Sequence, residues 1–212
     1  MTSRADVRRT YDRIAAHFAT TRPTPWPAVE RFLEGRRGSV GLDLGTGNGR
    51  HAALLADHVA RVVAIDLSRA VLSVAIERAS GRGFDLAPVQ ADAATLPVGT
   101  DEVDLAVYVA TLHHLPSREL RIRSLDELAR ALTPDGGGLV SAWCVTHERF
   151  DASSAFDTTV DWTLPDGTVV PRYYHIYDLD TFEADLVASD LVVERVFEEA
   201  GNCYGVVRGR SR

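Results

Sequence analysis

Three closely spaced glycines and a later aspartate are the residues whose spacing indicates chemistry most clearly. Gly45, Gly47 and Gly49 lie in "GLDLGTGNGRH", directly after an apolar run, and Asp66 ends the next apolar run. Glycines permit a tight turn and a close approach of a ligand to the backbone. The free N–H groups of a following helix carry a partial positive charge, and a carboxylate at Asp66 can accept hydrogen bonds from ribose hydroxyls. Together these residues predict a site for an adenosine-type cofactor rather than a plain strand–helix turn.

Alternating strand-like and helix-like runs must position this site. The strand-like runs are rich in apolar residues and include "SVGLDLG", "RVVAIDLS", "FDLAPVQAD", "EVDLAVYVATL" and "GLVSAWCV". Apolar strands that alternate with helices are typical of a parallel sheet covered on both faces. The segment "THERFDASSAFDTTVDWTLPDGTVV" is polar and expected to be irregular, whereas "LVVERVFEE" and "CYGVVRG" could form an antiparallel edge. We therefore predict an α/β, Rossmann-like fold: a mostly parallel sheet with helices on both faces and an antiparallel C-terminal edge.

A proline-rich segment links two helix-like stretches near the N-terminus. Residues 3–19 have apolar side chains at helical spacing, and "PWPAVERFL" can begin a second helix at its second proline. Between them, three prolines stiffen an extended backbone that carries Arg22 and Trp26. A packed core has no use for an arginine on such a segment. We expect one domain over residues 1–212, in which residues 1–34 form a helical cap over the site.

Composition narrows the classes of function. The net charge of −7 argues against indiscriminate binding to nucleic acids, and all 23 basic residues are arginines, which suit carboxylate and phosphate partners. No apolar run reaches the length of a membrane span, and the first residues lack the pattern of a secretory signal. The two cysteines are too few for a closed zinc site. We expect a cytoplasmic protein with no membrane contact and no metal centre.

The glycine spacing and a further acid distinguish between two cofactor classes. The dinucleotide fingerprint is G-x-G-x-x-G, whereas this loop reads G-x-G-x-G. Asp92, in "QADAATLP", could accept a hydrogen bond from the exocyclic amine of adenine. As a set, "DLGTGNG", Asp66, "ADAATLP" and "ALTPDGG" resemble the class I S-adenosylmethionine-dependent methyltransferases over residues 39–145. The alternative, a nicotinamide dehydrogenase, matches less well because nothing in the sequence indicates a pyrophosphate-binding motif.

This resemblance implies S-adenosylmethionine as the cofactor and a set of residues that bind it. Asp66 would hold the ribose, Asp92 the adenine, and Asp43 the amino-acid part of the cofactor. An alternative role for Asp43 is that of a strand-end acid that caps the glycine loop. The complete expected set is Asp43, Gly45, Gly47, Gly49, Asp66 and Asp92.

Segments outside the cofactor loop indicate a narrower resemblance. They are "YDRIAAHFATTRPTPWPAVERFL", "ATLHHLPSRELRIRSLDELARAL", "SAWCV" and "LPDGTVVPRYYHIYDLDTF". Together they resemble the tRNA wobble-uridine carboxymethyl methyltransferases, which include the methyltransferase part of the AlkB-homologue tRNA enzyme. The resemblance implies methyl transfer to the carboxylate of a carboxymethyluridine at the tRNA wobble position. It also implies a small zinc-binding activator subunit, which would have to be supplied in trans.

A carboxylate acceptor requires placement more than proton transfer. Its pKa of about 4 leaves it ionised at neutral pH, so it can attack a sulfonium methyl group without a general base. Arg22 could bind the carboxylate as a two-pronged fork, and His114 could donate a hydrogen bond to it. These two are the predicted catalytic residues. Only one of His113 and His114 is expected in the site, because neighbours at a strand end point in different directions.

Aromatic and imidazole side chains are the predicted substrate-binding residues. Trp26, Trp143 and Tyr173 could stack on an extruded base, and His175 could bind the carboxylate, uracil or phosphate. Each has a structural alternative. Trp26 could anchor the N-terminal helices on the sheet, while Tyr173 and His175 could be strand packing.

Two other functions stay open at this stage. An enzyme of the same fold could methylate a small carboxylic acid or another metabolite, and the acidic net charge favours this alternative. A binding module could instead hold the cofactor without catalysis. The salt dependence of binding separates tRNA from a small acid, because contacts with several phosphates weaken steeply as salt rises.

Overall fold

A seven-stranded sheet forms the centre of the protein. The computed structural model describes residues 3–210, and its strands are β1 (Gly38–Leu44), β2 (Val59–Asp66), β3 (Leu86–Gln90), β4 (Val103–Val109), β5 (Leu132–Trp143), β6 (Phe156–Thr163), β7 (Val169–Ile176), β8 (Val192–Glu199) and β9 (Asn202–Arg208). The order in the large sheet is β3-β2-β1-β4-β5-β9-β8. Neighbouring strands are parallel from β3 to β5 and antiparallel for β9 and β8. The prediction of a mostly parallel sheet with an antiparallel C-terminal edge is confirmed.

Helices cover both faces of this sheet. They are α1 (Arg4–Thr21), α2 (Pro27–Leu33), α3 (Arg50–Leu55), α4 (Arg69–Arg82), α5 (Arg118–Ala131) and α6 (Leu179–Val187), with a 3-10 turn at Leu112–His114. The side chains of strand β4 alternate between the two helical layers. Ala106 and Tyr108 pack in a cluster with α5 and α6, whereas Leu105 and Val107 pack with α2 and α3. Successive strand side chains point to opposite faces, so β4 is buried on both. In the described part of the chain, no helix has the length and apolar character needed to cross a membrane.

The strand order reverses between β1 and β4, and this reversal places the site. The chain runs from β1 outward to β2 and β3, then returns to add β4 on the other side of β1. In open α/β sheets, ligands bind in the crevice outside the C-terminal ends of the strands at such a switch point. The glycine loop follows β1 and therefore lies at this crevice.

Two parts of the fold differ from the sequence-based expectation. The segment expected to be irregular contains β6, which pairs with β7 in a separate two-stranded antiparallel sheet. Only Val160 and Trp162 of β6 are buried, and its outward positions carry Thr and Asp, so its composition looked polar. Strand β5 begins at Leu132, before the expected run "GLVSAWCV", because the preceding "TPDGG" is extended as well.

Candidate active site

A cavity of about 510 Å³ opens at the C-terminal ends of the parallel strands. Its walls come from the loops that follow β1, β2, β3 and β4, from the end of β5, from β7 and β9, and from α1 and the start of α2. Helix α1 contributes Arg4, Val7, Arg8, Tyr11 and Phe18. The volume lies within the range of small-molecule and cofactor sites. Residues 1 and 2 of the expected 1–34 cap lie outside the described residues.

Backbone geometry explains the glycines of the loop. Gly45, Gly47 and Gly49 have φ values of +72°, +56° and +72°, in the left-handed region that favours glycine. A Cβ on Gly45 would lie 2.1 Å from the hydroxyl oxygen of Thr111, so only glycine lets this loop meet the end of β4. A Cβ on Gly47 would lie 3.3 Å from the Phe18 ring, so its absence keeps space open between the loop and α1.

Asp66 lies in the cavity wall and is tied to the glycine loop. Its Oδ2 accepts a hydrogen bond from the Gly47 N–H at 3.0 Å, and its Oδ1 accepts one from the Ser68 N–H at 2.9 Å. Burial raises the pKa of Asp66 to about 6. Each carboxylate oxygen has a second lone pair, so the group can still accept hydrogen bonds from a ribose.

Asp43 lies behind the glycine loop and not in the cavity wall. It is buried, and its Oδ2 accepts a hydrogen bond from the Thr46 hydroxyl at 2.8 Å. Burial raises the pKa of Asp43 to about 7. This geometry favours the loop-capping alternative and does not support the expected direct contact between Asp43 and the cofactor.

Asp92 lies in the cavity wall and is paired with the N-terminal helix. Its Oδ2 accepts a hydrogen bond from Arg4 Nη1 at 2.6 Å, and its Oδ1 accepts one from the Ala94 N–H at 2.9 Å. The Arg4 side chain is 48% exposed. An adenine amine that binds Asp92 must therefore share the carboxylate with Arg4 or displace it.

Two arginines of the cavity lining approach one indole ring, that of Trp162, which is not itself part of the lining. The guanidinium carbons of Arg22 and Arg172 lie 5.6 Å and 4.8 Å from the centre of the Trp162 ring. Arg22 is exposed, whereas Arg172 is buried and its Nε has no hydrogen-bond partner. Within residues 3–210, neither arginine makes an ion pair with a carboxylate. Because a buried cation without a counterion is costly, Arg172 is suited to an anionic ligand, and the exposed Arg22 adds a second positive charge beside the same ring.

Both neighbouring histidines line the cavity, and they differ in their free nitrogens. His114 is fully engaged: its Nε2 lies 2.6 Å from the Tyr11 hydroxyl, and its Nδ1 lies 2.9 Å from the Tyr173 carbonyl oxygen. His113 Nδ1 accepts a hydrogen bond from the Trp143 N–H at 3.0 Å, so we assign the proton of its neutral ring to Nε2. Burial lowers the pKa of His114 to about 3 and also lowers that of His113. Both rings are therefore neutral, and the geometry favours His113 over His114 as a donor.

Trp26 and Trp143 both line the cavity but already have ring partners. Trp26 packs edge-on against His51 and Tyr204, as expected of an anchor for the N-terminal helices. Trp143 stacks on His147 and on Tyr174, with ring centres 4.6 Å and 4.7 Å apart. A base that stacks on either ring would have to use the face or edge that these contacts leave free.

Tyr173 and His175 are not among the residues that line the cavity. His175 Nδ1 lies 2.7 Å from Asp157 Oδ1, and the backbone carbonyl of Tyr173 is the acceptor of His114. Because strand side chains alternate, the side chains of Tyr173 and His175 lie on one face of β7 and that of Tyr174 lies on the other. Their placement favours the strand-packing alternative over the expected binding of substrate.

Sequence reasoning missed the two β7 residues that do line the cavity, Arg172 and Tyr174. Both have the same parity along β7 as the buried Val170. That parity was a usable signal, because an arginine aligned with a buried apolar residue must point inward. A third missed residue is Asn202, whose Oδ1 is buried without a partner at the cavity wall.

One group of possible metal ligands lies outside the cavity lining. The ligand atoms of Cys144, Glu198 and Cys203 lie within 4.8 Å of one another, and the Cys144 thiol donates to Glu198 at 3.1 Å. Both thiols are buried and free. Burial raises the pKa of Cys203, which opposes the thiolate form that a metal requires.

Comparisons with known proteins now identify the family. A family model described as a methyltransferase domain matches residues 42–136. The tRNA (carboxymethyluridine(34)-5-O)-methyltransferase of Schizosaccharomyces pombe is 33% identical over 164 residues, which cover 74% of this chain and 68% of that protein. This chain belongs to the tRNA carboxymethyluridine methyltransferase family. The mouse relative is 31% identical over 71% of the chain, but the chain spans only 22% of that protein and 33% of its Arabidopsis counterpart.

Solved structures of other methyltransferases resemble the fold of this chain over nearly its whole length. The DhpI–SAH complex has a TM-score of 0.74 at 21% identity and full coverage of both chains. The putative methyltransferase solved with the Haloferax volcanii Trm112 methyltransferase activator has a TM-score of 0.71 at 18% identity, covering 97% of this chain and 98% of that one. At such identities the likeness concerns the fold, and it confirms the Rossmann-like methyltransferase architecture.

Proposed function

We propose that this protein transfers a methyl group from S-adenosylmethionine to the carboxylate of a carboxymethyluridine at the tRNA wobble position. Membership of the family supports the reaction. The observation that carries the acceptor assignment is the pair Arg22 and Arg172, two cavity cations that lack a carboxylate partner among the described residues. An anionic acceptor supplies that partner, and guanidinium groups bind carboxylates through paired hydrogen bonds.

The residues around the glycine loop fit an adenosyl cofactor. Bound S-adenosylmethionine would supply an electrophilic methyl group on a sulfonium centre. Asp66 would accept hydrogen bonds from the ribose hydroxyls, and Asp92 would accept one from the adenine amine. Gly47 leaves open the space between its loop and Phe18 that a Cβ would fill. Asp43 would act indirectly, by holding Thr46 and thereby the conformation of the loop.

The acceptor side requires charge placement and no general base. Its carboxylate is ionised at neutral pH and has no proton to lose, and both cavity histidines are neutral because burial lowers their pKa. Arg22 and Arg172 would fix the carboxylate, and the Nε2–H of His113 would donate a further hydrogen bond. Such alignment of two reactants supplies a large part of the rate in transfers of this kind.

We infer that residues 1–34 act as a cap over the bound reactants. The support is a series of contacts between this segment and the cofactor loops. The Ser68 hydroxyl donates to Asp12 Oδ1 at 2.6 Å, and the Asn48 side-chain amide donates to the Arg22 carbonyl at 2.8 Å. Together with the Arg4–Asp92 pair, they hold the segment across the cavity. Residues 1–212 as a whole would be one catalytic domain.

A small activator subunit is the second partner in the proposal, and we infer that it binds zinc. Its support is the fold neighbour solved with a Trm112 methyltransferase activator and the family resemblance. Metal analysis of the purified complex tests the zinc: stoichiometric zinc on the subunit alone supports the proposal, and a metal-free, fully active complex contradicts it.

The experiment uses S-adenosylmethionine labelled in its methyl group, with and without the activator. One acceptor is an anticodon stem–loop RNA that carries carboxymethyluridine, and the other is a pool of small carboxylic acids. We expect label in the RNA, and label in the acids alone would favour the small-acid alternative.

The Arg22→Ala variant tests the role of the predicted acceptor-binding arginine. It should abolish transfer while the affinity for S-adenosylhomocysteine stays unchanged. The control is Arg37→Ala, because Arg37 is an exposed arginine outside the cavity lining. Equal loss of transfer and affinity would show that Arg22 is structural or a cofactor ligand.

A further inference from the structure

Three guanidinium groups gather around the proline-rich segment that precedes α2. Arg22 Nη1 donates to the Thr21 carbonyl at 3.0 Å. Arg50 Nη1 donates to the Thr24 carbonyl at 3.4 Å, and Arg78 Nη1 donates to the Pro23 carbonyl at 3.3 Å. Each contact uses one of the five N–H donors of a guanidinium. The carbonyl groups of the segment therefore hold the three guanidinium groups in place, and the remaining N–H donors of each stay available for a ligand.

None of these three arginines forms an ion pair with a carboxylate in the described part of the chain. Other arginines of the protein do, for example Arg118 with Asp185 and Arg130 with Glu127. Like charges at short range repel. Burial, and next the charge of Arg22, lower the pKa of Arg50 to about 10, and Arg78 contributes in the same direction. A protein with a net charge of −7 thus concentrates unpaired positive charge at one place.

The three arginines Arg22, Arg50 and Arg78 form a cluster that extends from the cavity to its outside. Arg22 and Arg50 line the cavity, and Arg50 also lies over the Trp26 ring, with its guanidinium carbon 5.2 Å from the ring centre. Arg78 belongs to α4 and is not part of the cavity wall. A ligand that ends in the cavity and continues outside it would therefore pass Arg50 first and Arg78 next.

We propose that Arg50 and Arg78 form a phosphate-binding site for the RNA backbone next to the nucleotide in the cavity. This inference rests on the proposed function, and it adds the path of the RNA strand at the mouth of the site. Guanidinium forks match phosphate geometry, and a polynucleotide offers a phosphate at every residue along such a path. A small carboxylic acid would occupy only the inner end, at Arg22, and would leave Arg78 without a role.

The test measures equilibrium binding of a labelled anticodon stem–loop RNA with an unmodified wobble uridine, over a series of salt concentrations. The whole protein is used, together with its activator if the pair is needed for solubility. The variants are Arg78→Ala and Arg78→Glu, with Arg78→Lys as the conservative variant. Arg37→Ala and Arg37→Glu are the controls, because Arg37 also donates to a backbone carbonyl, at 2.7 Å, and lies outside the cavity lining; Arg37 is exposed, whereas Arg78 is half-buried.

We expect Arg78→Ala to reduce the slope of log K against log salt by about 1, because one phosphate contact is lost. Arg78→Glu should weaken binding further, Arg78→Lys should retain most of the slope, and the Arg37 variants should behave as the wild type. The affinity for S-adenosylhomocysteine should not change in any variant, which shows that the fold is intact. A slope for Arg78→Ala equal to that of Arg37→Ala overturns the inference.

The binding assay is separate from the methylation assay, so the two proposals can fail separately. If Arg78 variants lose the slope while no RNA is methylated, the phosphate site stands and the proposed reaction falls. If carboxymethyluridine RNA is methylated while all Arg78 variants bind with the wild-type slope, the proposed reaction stands and the phosphate site falls.

Discussion

Arg172→Met tests whether the buried arginine of β7 serves the acceptor or the fold. In the protein its guanidinium packs against Trp162 and Tyr174, at 4.8 Å and 5.1 Å from the ring centres, and its Nε is buried without a partner. Methionine keeps an unbranched apolar side chain at these rings and removes the charge. The variant therefore separates packing from electrostatics.

The expected changes in stability and in activity have different sizes. An unsatisfied buried donor costs about 1–3 kcal/mol, and loss of a cation–π contact removes about 0.5–2 kcal/mol. These contributions oppose each other, so the free energy of unfolding should fall by no more than about 1 kcal/mol. A hydrogen bond to a charged group contributes about 1.5–3 kcal/mol, so kcat/KM for a carboxylate acceptor should fall about 10- to 150-fold.

Arg121→Met is the matched control, since Arg121 is also buried but has a partner. Its Nε lies 3.5 Å from Asp185 Oδ2, and Asp185 also accepts hydrogen bonds from Arg118 and Tyr177. Without Arg121, the buried Asp185 carboxylate keeps its hydrogen bonds from Arg118 and Tyr177 but loses one charged partner. The free energy of unfolding should therefore fall by about 1–3 kcal/mol. Affinity for S-adenosylhomocysteine should be unchanged.

The assay combines thermal or urea unfolding of each variant with initial rates of methyl transfer. The rates are measured at a temperature where all variants are folded. The reasoning is refuted if Arg172→Met destabilises the protein as much as Arg121→Met does. It is also refuted if Arg172→Met retains wild-type kcat/KM, because the arginine then does not bind the acceptor.

Two further predictions concern the cofactor residues. Burial raises the pKa of Asp66 to about 6, so the carboxylate takes up a proton as the pH falls through that value and loses acceptor capacity. Affinity for S-adenosylhomocysteine should therefore weaken about tenfold between pH 7 and pH 5, as measured by calorimetry, while Asp66→Asn should show weak binding with a much smaller pH dependence. Arg4→Ala removes a partly exposed ion pair with Asp92, so stability should fall by less than about 1 kcal/mol. Its affinity for S-adenosylhomocysteine should rise up to about fivefold if Arg4 competes for Asp92, and a loss of affinity would show that Arg4 instead supports the cofactor.

Much of the fold could be predicted because its signals are local. The apolar strands, the glycine loop and the antiparallel C-terminal edge follow from residue patterns within short segments, and the structure has each of them. Strand β6 could not be predicted in this way. Its burial depends on Val160 and Trp162 alone, and Trp162 packs with Ile14 of the distant helix α1.

The candidate site was predictable in its composition more than in its orientations. Asp66, Asp92 and Arg22 line the cavity as the motifs suggest. Placement of the β7 side chains required the parity of that strand relative to the core, which puts Tyr174 at the cavity and the expected Tyr173 on the opposite face. Hydrogen bonds between distant elements, such as that of Tyr11 with His114, cannot be read from sequence spacing.

The most direct test of the account compares two RNAs that differ only at the wobble uridine substituent, one a carboxymethyl group and the other a carbamoylmethyl group. Both are incubated with the protein, its activator and methyl-labelled S-adenosylmethionine. The account predicts label only in the carboxymethyl RNA, released as methanol by mild alkali, because the product is a methyl ester of a carboxylate held by Arg22 and Arg172. Equal labelling of both RNAs, or label that withstands alkali, would contradict it.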